Sequence, residues 1–503
     1  MKEQQVNSSR DNPGSTLPDI ITESTLESIT KIPTSKRDDQ PHGLARILSR
    51  RSKAASDAVD IPPDGGYGWV VVTCCFFINA STWGINSSYG VFLSHYLSTN
   101  TFPETTPLMF AFIGGLSISS SLLIAPLVTL TTRYTTTQTG MLIGIALETG
   151  GFIAASFATK IWHLFLTHGV LFGMGLGFLF TSSVGTISQW FDKKRSIANG
   201  LAAAGSGMGG LAYSLGVRSM LTNLSLPWTF RICALTTLAV NVICTILIRD
   251  RNHQIKPNQR AFDVSLLRRY QFVLLMFWGI FSMLGYVVIL FSLPDYARAQ
   301  GFSDTQGSVL SALLNLGMAF GRPLVGWVSD RWGRLNVGGI MTMVTAISCF
   351  VIWMPAGKSF GVAILFSLVN GAVCGTFWTT ISPITVEVVG IKDLPSALSL
   401  VWMSIVIPTT FSEAIALYLR REGSSNPYLF PQLWSGLMFL AAAVMMWLLR
   451  AWKLGDIDRK MMESSQDTAM DEKTAMEISG ERGWRKVKGK WARGSRWWRY
   501  DYV

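Results

Sequence analysis

Residues 321–334 read GRPLVGWVSDRWGR and join a long apolar run to a cluster of charged residues. Arg322 ends a run without Asp, Glu, Lys or Arg that begins at Thr305. The length and composition of this run are typical of a transmembrane helix. An arginine inside such a helix costs about 2.5–3.5 kcal/mol on insertion scales, so we expect Arg322 to face a polar cavity and to serve function. The alternative is a structural role, in which Arg322 pairs with a carboxylate or with carbonyl groups at a helix end.

The end of this stretch carries a charged turn, Gly326-x-x-x-Asp330-Arg331-x-Gly333-Arg334. Gly326 allows two helices to approach closely, and Gly333 permits a tight turn. The spacing resembles the GxxxDRxGR loop of the major facilitator superfamily, which lies between paired membrane helices on the cytoplasmic side. The resemblance implies an inner gate, formed by Asp330, Arg331 and Arg334, that holds a neighbouring helix end.

Composition indicates a membrane protein throughout. The 503-residue chain contains 49% hydrophobic and only 15% charged residues, whereas soluble domains carry roughly 25% charged residues. Long charge-free runs recur along the chain, and a transmembrane helix needs about 20 apolar residues. We therefore predict an all-α, polytopic protein with twelve transmembrane helices in a lipid bilayer. The predicted spans are 69–92, 107–130, 138–157, 162–187, 197–217, 229–249, 271–293, 306–328, 337–357, 361–385, 395–418 and 430–450.

The net charge is +12, and the positive residues are concentrated in short loops and in the two tails. Thirteen Lys and Arg residues fall in the predicted inner loops and six in the outer loops, which places both termini in the cytoplasm by the positive-inside rule. Basic loops match an anionic membrane surface, so we expect no nucleic acid partner. We predict a multi-pass protein of the plasma membrane, with an organelle membrane as the alternative location.

The same pattern divides the chain into five parts. We predict a disordered cytoplasmic tail over 1–66, a six-helix half over 67–249, a cytoplasmic linker over 250–269, a second six-helix half over 270–451 and a basic cytoplasmic tail over 452–503. The first tail is rich in Ser, Thr, Pro, Asp and Lys and lacks an apolar period, which is typical of disorder. Tryptophan and basic residues are interleaved over 483–499, so the last tail either lies on an anionic lipid surface or is simply solvated.

Two further motifs resemble a particular family. Residues 62–72 read PPDGGYGWVVV, and residues 190–200 read WFDKKRSIANG, followed by LAAAGSG. They resemble the two signatures of the monocarboxylate transporter family, and the short polar segment between the halves is similar to its fungal branch. The resemblance implies a major facilitator fold of two six-helix pseudo-repeats that moves a small organic solute by alternating access. It also implies an inner-gate role for Arg195 and signature roles for Asp64, Gly65, Gly66, Trp69, Gly200 and Gly205.

One face of the eighth predicted span is a candidate substrate site. The residues that follow one another at steps of four, three and four, and so share one side of a helix, are Ser311, Asn315, Met318 and Arg322. Arg322 can bind a carboxylate bidentately, and Asn315 and Ser311 offer hydrogen bonds. The alternative is that the serine and the asparagine only bridge helices. Further candidates for the cavity are Asn86, Tyr89 and Asn370.

The family resemblance also exposes two differences. The better-known lactate carriers have an aspartate four residues before the arginine, where this chain has Met318. They also have a lysine late in the first span, near the positions of Asn86 and Ser87 in this chain. A lactate-plus-proton mechanism therefore does not transfer unchanged. Loss of both charges allows a larger, more neutral ligand.

Glu148 is the main candidate for proton coupling because it lies near the middle of the third predicted span. Burial favours the neutral form of a carboxyl group. The alternative is a simple hydrogen bond to a neighbouring helix. His163, His168 and Glu413 lie near outer helix ends and are weaker candidates. Asn223 begins an Asn-Leu-Ser sequon in a predicted outer loop and is the candidate glycosylation site.

No catalytic motif competes with a transport function. The sequence lacks the HExxH, P-loop and nucleophile-elbow patterns, so we predict neither an enzyme, a cofactor nor a metal site. All six cysteines lie in apolar runs without disulfide or metal-ligand spacing. We predict a secondary active transporter for a monocarboxylate or a related polar metabolite, with a proton as the candidate coupling ion. The alternatives are efflux of a larger secondary metabolite and a nutrient receptor that binds its ligand without moving it.

Overall fold

The computed structural model describes residues 62–99, 102, 106–357, 359–421, 424 and 426–479. Most of the predicted N-terminal tail, over 1–61, and the basic end of the C-terminal tail, over 480–503, lie outside the described residues. Within the described part the chain is almost entirely helical and contains no strand. This agrees with the predicted all-α fold class.

The described residues form twelve helical segments, α1 to α12, several of which consist of consecutive pieces. The first six are α1 (Gly68–Asn79, Ala80–Gly84, Ile85–Ser87 and Tyr89–Thr99), α2 (Pro107–Leu123 and Ala125–Tyr134), α3 (Thr137–Ala155), α4 (Ile161–Leu164, Phe165–Leu171 and Phe172–Trp190), α5 (Arg195–Asn223) and α6 (Leu226–Leu247). The others are α7 (Tyr270–Ala299), α8 (Asp304–Trp332), α9 (Arg334–Ser348, Cys349–Trp353 and Met354–Ala356), α10 (Phe360–Cys374 and Thr376–Val389), α11 (Leu394–Ser404 and Val406–Leu419) and α12 (Leu429–Ser479).

Ten of these twelve segments are long and apolar enough to cross a membrane. The other two, α3 and α5, are rich in glycine, alanine, serine and threonine, and this composition lowers their hydropathy. Small residues favour close packing between membrane helices, where van der Waals contact drives association. The low hydropathy of α3 and α5 therefore reflects packing against other helices, and the helix count is consistent with the predicted twelve spans.

Glycines of α5 bring three helices to backbone contact. A Cβ atom at Gly205 would overlap the carbonyl oxygen of Phe76 in α1. A Cβ atom at Gly200 would lie 2.5 Å from the carbonyl oxygen of Arg322 in α8. Helix α5 therefore lies between α1 and α8, and these two signature positions require glycine because any side chain would push the helices apart.

We expect Gly205→Ala to lower the free energy of unfolding by about 1–3 kcal/mol, the usual range for an overpacked core. Gly216→Ala, on the same helix, is the matched control, because a Cβ atom at Gly216 would meet no heavy atom within 4 Å. The control should keep or slightly raise stability, since alanine favours helix over glycine. Thermal unfolding of the purified variants measures the difference. Equal unfolding midpoints would contradict the close packing of α1 on α5.

Several helices are locally distorted within their spans. π-Helical turns occupy Ala80–Gly84 in α1, Phe165–Leu171 in α4 and Cys349–Trp353 in α9. Such turns are frequent at functional sites. Helix α10 breaks at Gly375, where a Cβ atom would lie 2.8 Å from Nε of Arg322. The glycine therefore leaves room for the guanidinium group.

The segment between α6 and α7 packs against both sets of six helices. It contains a helical turn at Asn252–Ile255 and a 3-10 turn at Val264–Arg268. The side-chain amide of Gln189, near the end of α4, donates a 2.9 Å hydrogen bond to the first residue of the helical turn. The backbone N–H of Asn258 donates to the carbonyl oxygen of Lys392, which precedes α11, at 2.7 Å. The segment thus joins α4 to α11 as well as α6 to α7.

Candidate functional site

A cavity lies between helices α1–α6 and helices α7–α12. Its wall contains residues of α1, α2, α4 and α5 on one side and of α7, α8, α10 and α11 on the other. Among the described residues, Arg322 is the single charged residue in this wall. The remaining polar groups are neutral amides, hydroxyls, two indoles, two thioethers and a thiol. The cavity therefore offers one positive charge to a ligand.

The guanidinium group of Arg322 is held by neutral partners. Nη1 donates to the carbonyl oxygen of Ala203 at 2.8 Å and to the hydroxyl group of Ser206. Nη2 contacts the hydroxyl oxygen of Tyr286 at 3.4 Å and the sulfur of Met318 at 3.6 Å. Nε has no hydrogen-bond partner within the described residues, although Arg322 is only 5% exposed. Of the two structural roles considered for Arg322, contact with a helix carbonyl is observed, whereas a carboxylate partner is not found in the described part of the chain.

Two other predicted substrate residues reach the cavity. Asn315 lines it, and its side-chain amide donates to the carbonyl oxygen of Ser311 at 3.1 Å on the same helix. Asn86 also lines it, and its side-chain oxygen accepts a hydrogen bond from the hydroxyl group of Ser117 at 2.7 Å. An asparagine side chain has two donors and an acceptor with two lone pairs. Both amides therefore retain groups that can bind a ligand.

Three predicted substrate residues lie away from the cavity, namely Ser311, Tyr89 and Asn370. The hydroxyl group of Tyr89 donates to the carbonyl oxygen of Phe110 in α2 at 2.7 Å. The side-chain amide of Asn370 donates to the hydroxyl oxygen of Ser348 in α9 at 2.8 Å. Both contacts bridge neighbouring helices of the same set. We therefore leave these three residues out of the proposed binding site.

Sequence reasoning did not select Tyr286, Trp83 or Trp378, all of which line the cavity. The ring centroids of Trp83 in α1 and Trp378 in α10 are 5.3 Å apart. Aromatic residues are common in apolar spans, so residue type alone gave no signal for the two tryptophans. The available signal for Tyr286 was a hydroxyl group in the middle of a charge-free span.

At one end of the bundle, predicted to be cytoplasmic, three charged residues that we call the latch join neighbouring helices: Asp330, Arg334 and Glu387. The Asp330 carboxylate accepts hydrogen bonds from the backbone N–H groups of Ser196 at 2.9 Å and Ile197 at 2.8 Å, at the start of α5. A carboxylate is stabilised at this position by the partial positive charge of the helix N-terminus. Arg334 lies 3.0 Å from the Glu387 carboxylate and 3.3 Å from that of Asp330. The latch therefore joins α8, α9 and α10 to α5.

The predicted inner-gate residues do not act alike. Arg334 also donates to the carbonyl oxygen of Asp192, between α4 and α5. Arg195 braces that same loop, since its Nε donates to the carbonyl oxygen of Phe191 at 2.8 Å. Arg331 is exposed and lies over the ring of Trp327 at 5.1 Å, outside the latch. The structure thus separates Arg331 from Arg334, which the motif had grouped together.

The two family signatures meet in space. The Asp64 carboxylate accepts hydrogen bonds from the backbone N–H groups of Asp192 at 2.7 Å and Lys194 at 3.3 Å. The rings of Trp69 and Phe191 make an edge contact, with centroids 4.9 Å apart. Two residues of the first motif adopt positive φ angles, 53° at Asp64 and 60° at Gly66. A Cβ atom at Gly65, between them, would meet no heavy atom within 4 Å. The first motif therefore supports the loop that leads into α5.

Glu148 of α3 is fully buried against α4 and α6, outside the cavity. One carboxylate oxygen accepts from the side-chain amide of Asn241 at 2.7 Å. The Asn241 oxygen in turn accepts from the hydroxyl group of Ser81 at 2.6 Å. The other oxygen of Glu148 has no hydrogen-bond partner within the described residues. The observed hydrogen bond to α6 is the structural alternative considered above, and it leaves one oxygen able to hold a proton.

The weaker proton candidates have different surroundings. Both carboxylate oxygens of Glu413 accept from the Ser292 hydroxyl group, at 2.8 and 3.0 Å. Nδ1 of His163 accepts from the backbone N–H of Thr159 at 3.1 Å, so this side chain caps α4. His168 is buried, and five aromatic rings surround it with centroids 5.2–5.8 Å away.

The candidate glycosylation site, Asn223, is the last residue of α5 and is exposed. Its side-chain amide donates to the carbonyl oxygen of Ser219 at 2.9 Å. The position is sterically open, and glycosylation stays a prediction.

Most of the chain is similar in sequence to known membrane transporters. A family model described as Major Facilitator Superfamily matches residues 71–303 and again residues 275–497. The chain belongs to the Major Facilitator Superfamily. A yeast protein named "Probable transporter MCH2" (Saccharomyces cerevisiae) is 36% identical over 394 residues, which cover 77% of this chain and 83% of that protein. Human "Monocarboxylate transporter 12" is 25% identical over 420 residues, covering 76% of this chain and 79% of that protein.

Solved structures of the superfamily share the fold. The proton:xylose symporter XylE has a TM-score of 0.64 at 12% identity, covering 76% of this chain and 95% of XylE. FucP in the outward conformation has a TM-score of 0.57 at 14% identity, covering 76% of this chain and 98% of FucP. The predicted family resemblance and fold class are confirmed. The relatives are named as transporters, so this major facilitator protein is a multi-pass membrane transporter and not an enzyme.

Proposed function

We propose that this transporter moves a monocarboxylate or a related polar metabolite, and that Arg322 binds the negative charge. The observation that carries the proposal is a single buried cation in the cavity wall, surrounded by neutral partners and with Nε unpaired among the described residues. A buried charge is unfavourable unless it is paired. An anionic solute supplies the missing charge, and a guanidinium group binds a carboxylate through two parallel hydrogen bonds.

Transport would proceed by alternating access. The cavity lies between the two sets of six helices, and the latch joins neighbouring helices at one end of the bundle. Rocking of one set against the other would expose the cavity to either side in turn. The proposed orientation places the latch and both termini in the cytoplasm, and the proposed location is the plasma membrane.

The direct test is uptake of a labelled short monocarboxylate into proteoliposomes that contain the full chain, with and without an inward proton gradient. Saturable uptake above that of protein-free liposomes supports the proposal. Stimulation by the gradient supports proton coupling. Absence of uptake by folded protein contradicts the proposal.

Glu148 is the proposed proton carrier, because one of its oxygens is unpaired in the described structure and its partner is a neutral amide. We expect Glu148→Gln to abolish stimulation by the proton gradient while solute exchange at equal pH is retained within about threefold. The isosteric amide keeps the contact with Asn241 but cannot release a proton. Glu413→Gln is the comparison variant. Loss of the gradient response in Glu413→Gln instead would move the proton site to α11.

A second candidate function, efflux of a larger metabolite, is favoured by one observation. Met318 occupies the position where lactate carriers have an aspartate, and its sulfur contacts both Arg322 and Tyr286. Without that carboxylate the cavity wall is less charged and suits a bulkier ligand. Failure to take up short acids, together with retention of metabolites in cells that lack the protein, would favour this function.

A further inference from the structure

The cavity wall next to Arg322 carries aromatic rings that the proposed function does not use. We call Trp83, Phe180, Tyr286 and Trp378 the aromatic wall; all four line the cavity. Trp83 lies with its ring centroid 5.3 Å from that of Trp378 and 5.4 Å from that of Phe180. The ring centroids of Tyr286 and Trp378 are 6.4 Å apart. The wall is therefore continuous across α1, α4, α7 and α10.

Buried residues hold the wall in place from behind. Trp402 is fully buried and stacks on Trp378, with centroids 5.6 Å apart and ring planes 15° apart. Phe377 makes an edge contact with Trp378 at 5.4 Å. Both supporting rings lie outside the cavity lining. Because the rings are fixed before a ligand arrives, the wall is preorganised for binding.

Trp83 shows two features that point to a ligand. It lies in the π-helical turn Ala80–Gly84, a type of distortion that is frequent at functional sites. Its indole N–H is buried and has no hydrogen-bond partner within the described residues. Buried tryptophan N–H groups usually find a partner, and an unpaired one is unfavourable. An acceptor on a bound solute would satisfy this donor.

We infer that the solute is an aromatic carboxylate, whose ring lies on the aromatic wall while its carboxylate binds Arg322. The inference rests on the proposed function, and it names the substrate class of the same site. Tyr286 connects the two parts, because its ring belongs to the wall and its hydroxyl oxygen lies 3.4 Å from Nη2 of Arg322. Centroid separations of 5.3 and 5.4 Å leave no space for a ring between neighbours. The solute ring therefore packs against the wall from the cavity side.

The charge of the cavity lining further restricts the class of solute. Among the described lining residues there is no carboxylate, so the ammonium group of an amino acid would find no ion-pair partner. Simple aromatic acids therefore bind better than aromatic amino acids. Short aliphatic acids bind Arg322 but leave the wall uncovered.

The test is competition binding on the full-length protein in nanodiscs, with labelled benzoate as the probe. The competitors are cyclohexanecarboxylate, acetate and phenylalanine. We expect benzoate to bind about fivefold more tightly than cyclohexanecarboxylate, which has a similar size and the same charge but no π-system. Acetate and phenylalanine should compete more weakly than either ring acid.

Variants assign the preference to the wall. Trp378→Leu and Trp83→Leu should each reduce the preference for benzoate over cyclohexanecarboxylate to about twofold or less. Trp162→Leu is the matched control, because Trp162 lies at the start of α4 and is 54% exposed. This variant should keep the preference for benzoate. Equal affinity of the parent protein for benzoate and cyclohexanecarboxylate overturns the inference but leaves carboxylate transport standing. Binding of no carboxylate at all overturns the proposed function itself. The parent comparison needs no variant, so a misfolded variant does not prevent a decision.

Discussion

Arg322→Gln is expected to reduce carboxylate transport by at least about 30-fold, the largest effect that we predict. Loss of one partner from a buried charge pair costs about 2–5 kcal/mol, and about 1.4 kcal/mol corresponds to a factor of ten. Glutamine keeps a hydrogen-bond donor but loses the charge and the bidentate hydrogen bonding of the guanidinium group. Arg322→Lys keeps the charge and should lose about tenfold less activity than the glutamine variant, because lysine binds as a point charge. Initial rates of uptake into proteoliposomes measure both variants.

The same substitution should leave the fold intact. Every observed partner of the guanidinium group is neutral, so the unliganded protein buries a charge without compensation. We therefore expect the thermal unfolding midpoint of Arg322→Gln to equal or exceed that of the parent, as is common where function requires a destabilising group. Arg218→Gln, at an exposed position of α5, controls for the loss of a positive charge. Normal transport by folded Arg322→Gln would contradict a role for Arg322 in substrate binding.

Sequence patterns predicted most of the fold because membrane helices are encoded locally. Charge-free runs marked the helices, and the signature glycines Gly200 and Gly205 lie at backbone contacts between helices. Arg322 was a candidate because a charge inside an apolar span is costly and therefore conspicuous, and Asp330 was a candidate because its motif resembles the charged loop of the superfamily. These features depend on a residue and its near neighbours in the chain.

The composition of the cavity could not be predicted in the same way. Trp83 and Trp378 meet across the two sets of helices, and no local spacing encodes a contact between positions so far apart in the chain. Helical periodicity placed Ser311 on the same face as Arg322. It does not specify over what length of that face the neighbouring helices leave a cavity. Ser311 therefore lies on the predicted face and still outside the cavity.

The latch gives the second large effect. Arg334→Gln is expected to reduce transport by about tenfold or more and to separate the two sets of helices at the latch end. Arg334 contacts Asp330, Glu387 and the carbonyl oxygen of Asp192. Its removal takes away an ion-pair partner of Glu387 and of Asp330, and removal of one member of a buried charge network costs up to about 3–5 kcal/mol. Glu387→Gln should have a smaller effect, because Arg334 then still pairs with Asp330.

Distances between the helix sets distinguish this role from simple misfolding. Spin labels at Lys193→Cys and Trp332→Cys lie at exposed positions on either side of the latch, and the native cysteines are all buried, so labelling is selective. We expect the label separation to lengthen and broaden in Arg334→Gln relative to the unsubstituted labelled protein. Arg331→Gln is the matched control, because Arg331 lies in the same turn but packs on Trp327.

The motif alone predicts similar effects for Arg331 and Arg334, whereas the structure predicts a transport change within about twofold for Arg331→Gln, the size expected of an exposed charge. Equal effects of the two substitutions on transport and on label separation would mean that the turn acts as one charged unit. A large effect confined to Arg334→Gln would mean that the ion pairs of Arg334 hold this end closed. Since Asp330 binds the start of α5 while Arg334 binds α10, the same ion pairs would then link closure of this end to the position of α5, the helix whose residues Ala203 and Ser206 hold Arg322 in the cavity.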